Sequence, residues 1–159
     1  MKICTIFKFG SGIFFLNLLF ISQIIVVTVQ YRLGSFGFLF MDDAEAPGNV
    51  GLLDQLKAIR WIKSNILAFG GNPDQITLAG QDAGGVMALT SLMVDQDLNI
   101  NSIILQSGGI QHPWSFIEPR EAFRRTLSLA ELVGMYVFLL DISWNGIFIY
   151  PVLQETSLK

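Results

Sequence analysis

ITLAGQDAGG, residues 76–85, decides the fold: a short apolar run, Ile76 to Gly80, meets a long apolar segment, Ala83 to Val94, across only two residues. The first has strand length and the second helix length. Gly80 and Gly84 stand two residues before and two after Asp82. Glycine has no Cβ, so this spacing lets a strand and a helix crowd together at a tight turn. Two readings of Asp82 follow. It is either an aspartate capping an ordinary helix start, a role that suits its side chain, or a residue lifted above the sheet, where the adjoining Ala83 N–H would help to hold an oxyanion.

Outward from that junction, further strands and helices alternate. Residues 24–31 read as a buried strand, because Ile24 to Val29 are all β-branched. Glycines at 34, 37, 48 and 51, with Pro47, mark an irregular loop. Leu56, Ile59, Ile62, Ile66 and Phe69 then recur every three or four residues, opposite Asp54, Lys57, Arg60 and Lys63. That period predicts a helix, which Gly70-Gly71-Asn72-Pro73 stops. Ser102–Gln106 reads as a third strand. Ser115, with Glu118 three residues later and Pro119 after it, predicts the start of a helix running to about Val133 with Phe123, Leu127 and Ala130 inward. Trp61, Phe36 and Phe38 read as core. The alternation implies an α/β fold with a mostly parallel sheet and helices on both faces.

Composition bounds the function. A hydrophobic content of 52% against 14% charged residues argues for a packed core rather than a disordered chain. Ten basic and 13 acidic residues lie scattered, without the run of one sign that nucleic acid would require. Cys4 is the single cysteine, which excludes a disulfide framework. No P-loop, dinucleotide fingerprint or metal motif is present, so no cofactor and no metal is expected. Lys2 and Lys8 before the apolar run Ile13 to Ile21 have the shape of a signal peptide, without a clear cleavage site. Residues 1–23 are therefore set apart as an apolar segment, either signal-like or an artefact of the gene model. The domain is placed at 24–134 and a divergent tail at 135–159.

Four stretches, VVTVQYRLGSFGFL (26–39), APGNVGLLDQLKAIRWIKSNILAFGGNP (46–73), ITLAGQDAGG (76–85) and IILQSGG (103–109), resemble in order and spacing the type B carboxylesterase and cholinesterase family. The resemblance implies part of an α/β-hydrolase fold. It makes 80–84 the nucleophile elbow, with Gly80 and Gly84 as its glycines, Asp82 at the nucleophile position and Ala83 supplying an oxyanion-hole N–H. Active family members carry serine where this chain has Asp82, and commonly glutamate where it has Gln81. Their glycine-rich oxyanion loop lies upstream of residue 25, where Gly10-Ser11-Gly12 is a poor echo, and their acid and histidine lie downstream. Met135 stands where secreted members place a disulfide cysteine.

An aspartate offers no proton for a base to remove, and against an ester it would give a strained mixed anhydride. Elbow aspartates elsewhere displace at saturated carbon. His112 comes too early in the chain to be the family's base and reads as a loop residue. Ser107 and Ser35 read as turn residues, Ser35 in a loop with no helix after it. The resemblance also covers neuroligins, gliotactin, glutactin and neurotactin, surface adhesion proteins without the elbow serine. It thus implies a non-catalytic domain at the cell surface, extracellular or at the plasma membrane, with extracellular protein partners. The alternative is a carboxylic ester hydrolase with an altered nucleophile.

Overall fold

The computed structural model describes residues 2–7, by their backbone alone, and 24–133. Six strands and four α-helices follow in the order β1 (Lys2–Phe7), β2 (Ile24–Thr28), α1 (Gly34–Phe38), β3 (Phe40–Asp43), β4 (Ala46–Pro47), α2 (Val50–Asn65), β5 (Ile76–Gln81), α3 (Ala83–Val94), β6 (Ser102–Gln106) and α4 (Pro119–Leu132). Four strands form one all-parallel sheet in the order β2-β1-β5-β6, and β3 and β4 make a small antiparallel ribbon. The chain runs from β1 outward to β2, then returns to lay β5 and β6 on β1's other side. The order therefore reverses between β1 and β5.

β1 is the largest departure from the sequence reading, which sets residues 1–23 apart from the domain. Lys2–Phe7 pairs on one side with β2, Ile3 facing Ile25, and on the other with β5, Ile3 facing Ile76. A strand bonded on both edges completes two ladders, and six residues suffice for that. In the sequence the longer apolar run behind it hides so short a signal. β2 is in turn the outer strand, and its side chains are half-buried rather than fully buried. Gly10-Ser11-Gly12, the run Ile13 to Ile21, Met135 and the tail 135–159 lie outside the described residues.

The helical period of α2 works as its sequence predicts: Leu56, Ile59, Ile62 and Ile66 are buried against Ile76 and Leu78 of β5 and Ala88 of α3. Burying each such side chain contributes about 1.5–3 kcal/mol. Phe69 departs from the expected inward face. The chain tightens to a 3-10 turn at Ile66–Phe69, which shifts the phase of the last residues and leaves Phe69 63% exposed. Gly70, at φ 78°, closes the turn by donating to Leu67 O at 3.0 Å, and Gly71 donates to Ile66 O at 3.0 Å.

Two further expectations are corrected. Trp61 and Phe36 are exposed, not core, and Phe38 is half-buried. Trp61 sits beside Arg60 on the face of α2 turned from Ile59 and Ile62, with its ring 6.5 Å from that of Phe69. The loop expected around Ser35 contains the short helix α1. Among the described residues no helix is long and apolar enough to cross a membrane.

Candidate functional site

The strand-to-helix junction is a single residue. β5 ends at Gln81, α3 begins at Ala83, and Asp82 between them has φ 53° and ψ −125°, neither strand nor helix. A side chain other than glycine in such a conformation costs on the order of 1–3 kcal/mol and persists only where its surroundings enforce it. They do so here through the backbone. Asp82 N–H donates to Gln106 O of the neighbouring strand at 2.9 Å, and Asp82 O accepts from Gly85 N–H at 2.9 Å and Val86 N–H at 3.2 Å.

Close approach completes the enforcement. A Cβ on Gly80 would collide with the Gly84 carbonyl and lie 2.5 Å from Gly85 N. One on Gly85 would lie 3.2 Å from both Gly80 O and Gly108 O. One on Gly108 would strike the Asp82 carbonyl oxygen and approach its carbon to 3.0 Å. Gly80 thus takes the crowded position the spacing predicts, against the backbone of Gly84, while Gly85 and Gly108 escaped the sequence reading. Their signal was present in the doublets Gly84-Gly85 and Gly108-Gly109, but a doublet alone does not say which backbone approaches it.

Asp82 occupies the N-cap position of α3, yet its carboxylate caps nothing: the helix has no side-chain cap bond. The side chain is exposed, Ala83 beside it is half-buried, and Gln81 is exposed. Among the described residues, the N–H groups of Ala83 and Gly84 donate to no acceptor. They belong to the first turn of a helix, whose N–H groups have no partner within the helix and carry partial positive charge. The junction also lies at the carboxyl end of β5, beside the place where the strand order reverses. In open parallel sheets the crevice outside that end, at that reversal, is where ligands bind.

The other candidates are placed as follows. Ser107 follows β6 directly, is exposed and has φ 54°. Gln81 and Gln106, the residues before Asp82 and Ser107, are the last pair of the β5–β6 ladder. His112 is an exposed loop residue whose ring stacks on Trp114 at 5.1 Å and 9°. No hydrogen bond joins it to Asp82 among the described residues. No group of three or more metal-ligating side chains occurs among those residues either. Ser115 does not cap α4 as expected. Glu118 holds the N-cap position, and the Ser115 hydroxyl turns to Ile110 O and His112 O, 2.7 Å from each. Helix α4 buries Ala130 as expected, together with Ala122 and Thr126, while Phe123 and Leu127 are half-buried and Phe123 packs against Phe40 and Ala122.

A parallel sheet with this strand order and a one-residue turn into a helix at the reversal is part of an α/β-hydrolase fold. The chain belongs to the carboxylesterase family, whose pattern matches residues 7–143. It is 45% identical over 114 residues to acetylcholinesterase 4 of Caenorhabditis briggsae, which covers 71% of this chain and 19% of that protein. It is 43% identical over 116 residues to a cholinesterase of Mus musculus, covering 72% and 19%. With an acetylcholinesterase of Electrophorus electricus it shares 45% identity over 115 residues, covering 71% and 18%. The chain therefore spans about a fifth of the length of these relatives.

Proposed function

We propose that this cholinesterase-like domain does not turn over esters, and that it serves protein binding at the cell surface. One observation carries the reading: the residue presented at the β5–α3 turn is an aspartate. A carboxylate has no proton to surrender to a base, and its negative charge repels the oxyanion that an ester forms on attack. In enzymes built on a presented nucleophile, losing that group costs roughly 10⁶ in turnover. Asp82 takes the elbow position in this reading, Gly80 and Gly84 are the elbow glycines, and Ala83 N–H is the oxyanion-hole donor left without its task.

The extracellular or plasma-membrane setting, and a protein as partner, come with the family's adhesion members lacking the serine. A second reading, an ester hydrolase with an altered nucleophile, draws on the strained backbone that still presents residue 82 and on relatives that are acetylcholinesterases. Hydrolysis of p-nitrophenyl acetate by the full-length protein separates the two. The expected rate equals that of Asp82→Ala, while Asp82→Ser gains turnover. Hydrolysis by the unaltered protein above the Asp82→Ala rate, lost when a histidine is replaced, overturns the proposal.

A further inference from the structure

Helix α2 buries Leu56, Ile59 and Ile62 and turns a second row of large side chains outward. Leu53 and Trp61 are 54% and 56% exposed, and Phe69, just past the helix, is 63% exposed. With Lys57 and Asn65 between them, these residues fall four apart, at 53, 57, 61, 65 and 69. Side chains at that spacing form one continuous ridge along a helix. The rings of Trp61 and Phe69 stand 6.5 Å apart, so the ridge continues past the tightened turn at Ile66–Phe69. Two rings of this size and exposure leave roughly 200–300 Å² of apolar surface in water. Leu53, and Leu67 at 73% exposure, enlarge it toward the few hundred Å² at which such patches mark interaction sites.

The row reads alike from both ends. Apolar Leu53 and Phe69 lie eight residues to either side of Trp61, and polar Lys57 and Asn65 lie four to either side. A surface that meets its own copy across a two-fold axis has to be self-complementary in this way. With the axis beside Trp61, antiparallel ridges set Leu53 against the second copy's Phe69 and Lys57 against the second copy's Asn65. Among the described residues Lys57 Nζ makes no hydrogen bond or ion pair, and Asn65, whose Nδ2 donates to Trp61 O at 2.7 Å, keeps its Oδ1 to accept one. Charge permits the approach as well. Arg60 is already paired with Asp95, and Lys63 Nζ donates to Leu98 O and Asn99 O, so Lys57 is the uncommitted cation of the helix. Four residues from the axis on each helix, the two Lys57 positions lie about 12 Å apart, beyond the screening length of about 8 Å at physiological salt.

We propose that the outer ridge of α2 is a self-association face on which a second copy of this chain docks. The ridges of the two helices interlock at a crossing angle of about 50°, the commonest way helices pack. Trp61 and Phe69 of each copy meet at the centre, Leu53 closes on the second copy's Phe69, and the Lys57 and Asn65 side chains form the polar rim. A desolvated aromatic centre inside such a rim carries most of the affinity of an interface. Nothing in this face depends on Asp82, so self-association and the absence of ester turnover can each fail alone.

Sedimentation velocity of the full-length protein over a range of concentrations tests the proposal. The unaltered protein is expected to dimerise reversibly, and Trp61→Arg to raise the dimer dissociation constant by about 30-fold or more. Under mild oxidation Trp61→Cys is expected to give a disulfide-linked dimer, because the axis brings residue 61 against itself. Met93→Cys, at a site on α3 that is 53% exposed, should give none. If Trp61→Arg fails to fold, the two cysteine variants decide alone. A protein that stays monomeric, or one that uses Trp61 only to hold an unlike chain or a lipid vesicle, overturns the proposal. So does a dimer that survives Trp61→Arg and is cross-linked no better through residue 61 than through residue 93.

Discussion

Two crossings from strand to helix leave the same end of this sheet, and they are built in opposite ways. β5 enters α3 through Asp82 alone, whereas β6 takes the whole of residues 107–118 to reach α4. In the first, backbone packs on backbone, and glycines are required because no Cβ fits. In the second, side chains hold the loop: the buried Ser115 hydroxyl lies 2.7 Å from Ile110 O and His112 O, and its own N–H donates to His112 O at 2.9 Å. The difference is between a turn determined by excluded volume and one determined by a few hydrogen bonds. Substitutions should expose it.

The largest effect is expected at Gly80. The atoms that an added Cβ would strike are backbone atoms of Gly84 and Gly85, which cannot swing aside as a flexible side chain can. Gly80→Ala is therefore expected to destabilise the full-length protein by about 3 kcal/mol, read as a lower urea midpoint. Gly109→Ala is the control, since a Cβ there meets nothing within 4 Å, and a change below about 0.5 kcal/mol is expected. Equal costs at the two glycines would mean that crowding is not what holds the tight crossing.

A smaller loss is expected in the loose crossing. Ser115→Ala removes the single hydroxyl proton that Ile110 O and His112 O share, at a cost of about 1 kcal/mol. Glu118→Ala removes an exposed side chain that makes no cap bond, and should be nearly silent. If Glu118→Ala proves the costlier in urea unfolding, the side chains around Pro119 cap α4 after all and the Ser115 loop is incidental.

The same contrast explains how much of the molecule could be read in its sequence. The limits Ala83–Val94 and Ser102–Gln106 follow directly from apolar runs and the glycine spacing, because that geometry leaves few alternatives. The Gly80-x-Asp82-x-Gly84 spacing likewise locates the candidate site. Ser115 was misread because serine before a helix is equally able to bond loop carbonyls, and only the path of the chain decides between them. On α4, Ala130 lies inward as the period predicts, but Ala122 and Thr126 are buried more fully than Phe123 and Leu127. Thr126 lies inward, its Oγ1 accepting Phe40 N–H at 3.3 Å, a tertiary partner that hydrophobic period cannot reveal. Neither β1 nor the bond from Asp82 N–H to Gln106 O was legible, since strand order is a long-range property and nothing local encodes it.

The smallest effect is expected from charge at the start of α4. Glu121 lies in the first turn, within 2.7 Å of Arg124 Nε, 2.8 Å of Arg124 Nη2 and 2.7 Å of Arg125 Nε. The Arg124 guanidinium first, and that of Arg125 second, hold its carboxyl at about 2, below its ordinary 4.5. A depressed carboxyl stabilises the fold fully above about 4.5, and that contribution is lost as pH falls from there toward about 2. All three groups meet water, so the stability change should be slight, and the titration itself is the sharper reading. Following the Glu121 carboxyl carbon by NMR, the expected midpoint is about 2, rising toward 4.5 in Arg124→Ala and less far in Arg125→Ala. A midpoint near 4.5 in the unaltered protein would show that these ion pairs are not held in solution. The loose crossing would then depend on the Ser115 hydroxyl and apolar packing alone, which would widen its contrast with the glycine-locked turn at Asp82.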